Sequence, residues 1–120
     1  MTSFADTTGG WAESYACEYL QKQGLSCVMK NFRCPQGEID LIMQESQYFV
    51  FVEVRFRKHP RFGDGIETIS YSKQRRLIST ALQFLQQRDL IDKVNGRFDV
   101  LGITAEKNIV WIKNAFEVQY

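Results

Sequence analysis

Two short runs of alternating side chains, residues 38–44 and 49–57, constrain this chain more than any other feature. An apolar side chain at every second position marks a half-buried strand, and so short a connection joins antiparallel neighbours. With Glu45 to Tyr48 as the connection, Gln44 faces Phe49, Ile42 faces Phe51, Asp40 faces Glu53 and Glu38 faces Arg55. Ile39, Leu41 and Met43 then share the other face with Val50, Val52 and Val54, giving an apolar surface for a helix to cover. The first face is divided, apolar at the turn and ionic at the open end. A slip of one residue would put Asp40 and Glu53 on opposite faces, so the reading depends on that connection length.

The flanking segments supply the rest of a small domain. Ala12, Tyr15, Ala16, Tyr19 and Leu20 have the spacing of an amphipathic helix, with Gly24 as its stop. Leu25 to Phe32 is a further strand candidate, closed by Pro35 and Gly37. A polar loop over 58–70 leads to a second helix, about Ser72 to Arg88, whose spacing predicts an inner stripe of Ile78, Ala81, Leu82 and Leu85. Arg97 to Thr104 and Ile109 to Lys113 read as a closing strand pair. The order α-β-β-β-α-β-β predicts an α/β fold with a mixed sheet flanked by helices. A length of 120 residues, 44% of them hydrophobic, supports one core and one domain, 1–120, with residues 1–9 expected to be flexible.

Several classes are set aside by the same arithmetic. No apolar run approaches the roughly 18 residues of a bilayer span, and the N-terminus lacks the basic start and apolar segment of a secretion signal. Cys17, Cys27 and Cys34 have no CxxC spacing, which indicates neither a disulfide framework nor a zinc ribbon. The expectation is a cytoplasmic protein with no membrane partner. Its near-neutral total charge conceals an uneven distribution. In residues 55–76, Arg55, Arg57, Lys58, Arg61, Lys73, Arg75 and Arg76 stand against only Asp64 and Glu67. Such a run is either a solvated surface or a phosphate-binding one.

Carboxylates facing across a ladder, with β-carbons about 4.5–5.5 Å apart, destabilise a sheet unless something neutralises them. Two readings of Asp40 and Glu53 stay open here. A divalent cation could be held by both acids and a carbonyl such as that of Val54, the open oxygen coordination of Mg²⁺. Alternatively Arg55 and Arg57 pair with the acids and no metal binds. The crossover after the hairpin should return the second helix's N-terminus to this end, bringing the Lys73 ammonium with it. Gln74 reaches either the site or a base edge, or is satisfied by backbone. Arg57, Lys58, Arg61, Arg75 and Arg76 form a candidate phosphate-binding rim, while Phe56, Phe62 and Tyr71 could stack on bases or pack in the core. Asp99 is a lesser candidate, and His59 is expected to be exposed.

The blocks Gly37-Glu38-Ile39-Asp40-Leu41-Ile42, Phe51-Val52-Glu53-Val54-Arg55, Ser72 to Ile78 and Arg97-Phe98-Asp99-Val100 resemble the YraN-like family of uncharacterised bacterial proteins. That family is similar to the restriction-endonuclease-like nucleases of the PD-(D/E)xK pattern and, within them, to archaeal Holliday junction resolvases. The resemblance runs from about Gly10 to Phe116 and implies a restriction-endonuclease-like three-layer sandwich. It implies further that Asp40 and Glu53 are the metal-binding carboxylates and that Glu13 is the glutamate resolvase-like members add. Arg55 stands where the pattern has lysine. Arginine stays protonated and cannot be a general base, although it can stabilise charge on a phosphate. The functional expectation is a Mg²⁺- or Mn²⁺-dependent phosphodiesterase acting on DNA, branched or single-stranded. The alternatives are a non-catalytic nucleic-acid-binding module and a protein adaptor. Homodimerisation is implied by the resemblance alone.

Overall fold

The computed structural model describes residues 8–57 and 69–117. Its elements are α1 (Thr8–Lys22), β1 (Ser26–Cys34), β2 (Gly37–Glu45), β3 (Tyr48–Arg57), α2 (Tyr71–Gln87), β4 (Asn95–Thr104) and β5 (Ile109–Ile112), in the expected order. α1 begins inside the stretch expected to be flexible; residues 1–7, and most of the expected 58–70 loop, lie outside the described residues. The five strands lie in the order β1-β2-β3-β4-β5, antiparallel except for the parallel β3–β4 pair. A parallel pair needs a crossover, and the connection carrying α2 supplies it.

Local sequence accounts for the ends of both helices. Gly24, at φ 102°, ends α1 with bonds from its own amide to Gln21 O (3.0 Å) and from the Leu25 amide to Leu20 O (3.1 Å). This is the backbone a glycine after a helix permits. α2 starts where the Ser70 hydroxyl accepts the Lys73 amide at 3.2 Å.

Each helix covers one face of the sheet, making three layers. Ala12, Ala16 and Leu20 of α1 pack with Leu41, Met43, Val50, Val52, Leu101 and Ile103. Leu77, Ala81 and Phe84 of α2 pack with Phe32, Ile42, Phe49, Phe51, Phe98 and Val100. The buried stripe of α2 therefore differs from the spacing's prediction: Leu77, Thr80, Ala81 and Phe84 are inside, while Leu82 is 42% exposed. Phe84 sets the rotation, because its ring meets those of Phe32, Phe49 and Phe51 at centroid separations of 5.3, 6.1 and 6.3 Å. Thr80 is tolerated inside because its hydroxyl donates to Arg76 O at 2.7 Å. Gly37 lies against it, and a Cβ there would come within 2.9 Å of Thr80 Oγ1.

Phe84→Ala should cost about 3–5 kcal/mol in urea unfolding, whereas Leu82→Ala should cost under about 1 kcal/mol. The reverse ranking would restore Leu82 to the core.

Candidate functional site

The β2–β3 ladder pairs Glu45 with Tyr48, Gln44 with Phe49, Met43 with Val50, Ile42 with Phe51 and Leu41 with Val52. The register is the expected one, but the connection is residues 46 and 47 rather than the four expected, because Glu45 and Tyr48 join the ladder. It stops one residue short of the acids. Asp40 and Glu53 are not ladder partners, and neither are Glu38 and Arg55; Glu38 instead pairs across β1 with Arg33, forming an ion pair. The reason lies in β2 itself. Ile39 packs in the α2-side core and Leu41 in the α1-side core, so side-chain alternation breaks at Asp40. The expected common face of Ile39, Leu41 and Met43 is corrected accordingly.

Where the strands part, the Val54 amide is answered by a side chain: it donates to Asp40 Oδ2 at 2.8 Å. From α1, Glu13 reaches the same carboxyl and hydrogen-bonds both Asp40 and Asn31. On the α2 side, Glu53 Oε2 accepts from Lys73 Nζ at 2.9 Å and from Arg55 Nε at 3.2 Å. The crossover therefore returns Lys73 to the acidic end, as topology requires. Glu13, Asp40, Glu53, Lys73 and Arg55 come from four separate stretches of chain and meet around the open end of the hairpin.

The electrostatics are lopsided. Glu53 has two cationic partners, whereas burial pushes the Asp40 carboxyl up to about 7; the Val54 amide opposes the rise, and Glu13, Glu53 and Glu38 add to it. Glu13 is raised as well, chiefly by burial, with its hydrogen bonds to Asn31 and Asp40 pulling the other way. A hydrogen bond between two carboxyl groups requires a proton on one of them. The Glu13–Asp40 pair is thus short of one positive charge when both acids ionise. An oxygen-only donor set of this kind suits Mg²⁺ or Mn²⁺. Among the described residues, no three acidic, histidine or cysteine side chains already converge as a metal cage. A cation would be held by Asp40, Glu53 and the Val54 carbonyl, with Lys73 moving off Glu53.

The remaining candidates are dispersed. Arg57 donates to Phe56 O at 3.2 Å, Arg75 to the Tyr71 hydroxyl at 3.2 Å, and Arg76 to Ser72 Oγ at 3.0 Å. Gln74 donates to Ile69 O at 2.8 Å, the backbone-satisfied alternative. Lys58, His59, Arg61 and Phe62 lie outside the described residues. Phe56 packs edge-on against Trp11 at 5.8 Å, and Tyr71 is 67% exposed. Asp99 belongs to the scaffold: wholly buried, it accepts from Trp111 Nε1, the Asn114 amide and Arg97 Nε at 2.9, 2.9 and 3.0 Å. Sequence reasoning missed Asn31, which sits within β1 at φ 55°. Its signal was an asparagine inside a strand, where that residue type is depleted, and asparagine is among the few that accept a left-handed backbone.

The layers and this acidic cluster define an α/β domain with a charged site at the splayed end of a mixed sheet. Residues 12–103 match the uncharacterised protein family UPF0102, and the chain belongs to that family, the YraN family of the sequence resemblance. A UPF0102 protein of Coxiella burnetii is 54% identical over the whole of both chains. One of Nitrosococcus oceani is 47% identical over 92% of each chain, and one of Legionella pneumophila is 44% identical over 91% of this chain and 93% of its own. Among solved structures, SfsA of Pyrococcus furiosus in complex with Ca²⁺ is similar over 92% of this chain and 64% of its own, with 16% identity and a TM-score of 0.35. No helix among the described residues is long and apolar enough to cross a membrane.

The raised Asp40 pKa fixes a pH dependence. Between its ordinary 3.8 and about 7, the folded chain holds a proton that the unfolded chain has lost. Stability therefore falls as pH rises through this window, and the full cost is present above it. Asp40→Asn keeps an acceptor for Val54 and removes the charge. Its Tm should exceed the wild-type value by roughly 4 °C or more at pH 8, with a smaller gain at pH 5. An equal difference at both pH values would contradict the assignment.

Proposed function

We propose that this protein is a Mg²⁺- or Mn²⁺-dependent phosphodiesterase acting on DNA, branched or single-stranded. The observation that carries the reading is the half-buried Asp40 carboxyl on the Val54 amide, with Glu13 and the Glu53–Lys73 pair beside it. Asp40, Glu53 and the Val54 carbonyl would hold the cation, with Glu13 on its α1 side. Such an ion supplies Lewis-acid stabilisation at phosphate and lowers the pKa of bound water.

The chain's own groups supply the rest. Lys73 is a partly exposed ammonium at the start of α2, where the helix N-terminus adds favourable potential for an anion. Once released from Glu53, its Nζ can donate to a phosphate oxygen and offset the charge developing there. Lys73 thereby takes over part of the work that the PD-(D/E)xK pattern gives to the residue replaced by Arg55. Arg55, on the same strand as Glu53, orients phosphate without exchanging a proton. Arg57, Lys58, Arg61, Arg75 and Arg76 would contact backbone phosphates, which confers affinity without sequence preference. Free thiols at Cys17, Cys27 and Cys34 fit a cytoplasmic setting. Pairing of two copies, as the resolvase resemblance implies, would suit a four-way junction and belongs to this proposal.

A second reading is supported by the neutralisation of Glu53 by Arg55 and Lys73: a nucleic-acid-binding module that has lost turnover. Labelled duplex, single-stranded, flapped and four-way DNA, incubated with Mg²⁺, Mn²⁺ or EDTA, separates the two. The enzyme reading predicts cleavage abolished by EDTA and reduced roughly 100-fold or more by Asp40→Ala or Glu53→Ala. Salt-sensitive binding without cleavage under any metal, surviving Asp40→Ala, would replace it with the binding module.

A further inference from the structure

The missed residue Asn31 has two properties that belong together. Its backbone is left-handed, at φ 55°, in the middle of a nine-residue strand. The β1–β2 register is unchanged on either side of it, with Lys30 opposite Leu41 and Phe32 opposite Ile39. Between them, Asn31 and Asp40 form no pair. Nothing has been inserted at this point; both residues are turned out of the ladder. The exchange of faces between Leu41 and Ile39 occurs across this one position, and the Asn31 side chain reaches Glu13 on α1.

We infer that Asn31 is the positioning residue of the site, its backbone opening the ladder where Asp40 leaves it and its amide fixing the Glu13 carboxylate toward Asp40. The residue type follows from the two tasks. A left-handed backbone favours glycine, asparagine and aspartate. Glycine has no side-chain donor, and aspartate would add another negative charge to Glu13, Asp40 and Glu53. Asparagine alone among the three supplies an uncharged N–H. That donor occupies one lone-pair direction of Glu13 and leaves others for Asp40 or a cation, the role outer groups play around metal-ligating carboxylates.

This inference rests on the metal-dependent reading of the same site, and the variants separate its two parts. Asn31→Gly keeps the backbone freedom and removes the donor. Asn31→Asp keeps the shape and replaces the donor with charge. Calorimetric titration of the full chain with Mn²⁺ at pH 8 reads affinity directly, and thermal melting without metal reads the fold. Asn31→Gly is expected to melt within a few degrees of wild type yet bind Mn²⁺ roughly tenfold or more weakly, the loss typical for an outer-shell contact. Asn31→Asp is expected to bind more weakly still or to melt lower. Wild-type affinity in Asn31→Gly would overturn the inference. If Asn31→Gly proves too unstable to titrate, or if wild-type protein itself binds no Mn²⁺, a metal-free double-mutant cycle of Asn31→Gly with Glu13→Ala decides the contact. Non-additive melting shifts would support it and additive ones would overturn it. Absence of Mn²⁺ binding by wild type would by itself overturn the metal-dependent reading.

Discussion

The bond from the Val54 amide to Asp40 is the constraint on which the rest of the site depends. A backbone N–H in a half-buried gap where two strands part needs an acceptor, because a donor left unmade away from water costs up to about 1–3 kcal/mol. Using a carboxylate for this ties an ionisable group to the gap. The sheet cannot close over it, and the acid cannot swing into solvent. Burial then makes its charge costly, so the site favours the protonated acid up to about pH 7. Scaffold and chemistry here are set by one contact.

The two helices serve this gap from opposite sides. α1 brings Glu13 to Asp40, and α2 brings Lys73 to Glu53. Neither delivery depends on loop conformation, since each helix is seated by its own core: Ala12, Ala16 and Leu20 on one face, Leu77, Ala81 and Phe84 on the other. The parallel β3–β4 pairing completes the arrangement. It requires the crossover that turns the start of α2 back to the carboxylate end of β3. Asp99 holds the far side of that pairing to β5 and the C-terminal turn through three hydrogen-bond partners, a scaffold role for a buried acid.

Much of this was legible in the sequence because alternation and turn length are strong signals. The element order, the register from Gln44–Phe49 to Leu41–Val52, and the return of Lys73 all follow from them. What escaped were the places where periodicity stops being informative. Strict alternation extended the ladder through Asp40, whereas a left-handed Asn31 and an unpaired position end it there. The α2 sequence holds two apolar stripes, and only the ring packing of Phe84 selects one. Glu13 resembles any polar helix residue until α1 is docked, and came into view through the family resemblance. Arg33 was assigned no partner, and it takes Glu38 because β1 pairs in a register that the hairpin says nothing about.

If the Glu13–Asp40 pair holds one positive charge, a proton that a divalent cation can replace, then binding of the cation must release that proton. Calorimetric titration of Mn²⁺ in buffers of different ionisation enthalpy counts the protons released per ion bound. Release of about one proton is expected at pH 6, falling toward zero at pH 9, where Asp40 is already ionised. Mn²⁺ binding with the same proton count at both pH values, or no binding at either, would contradict it.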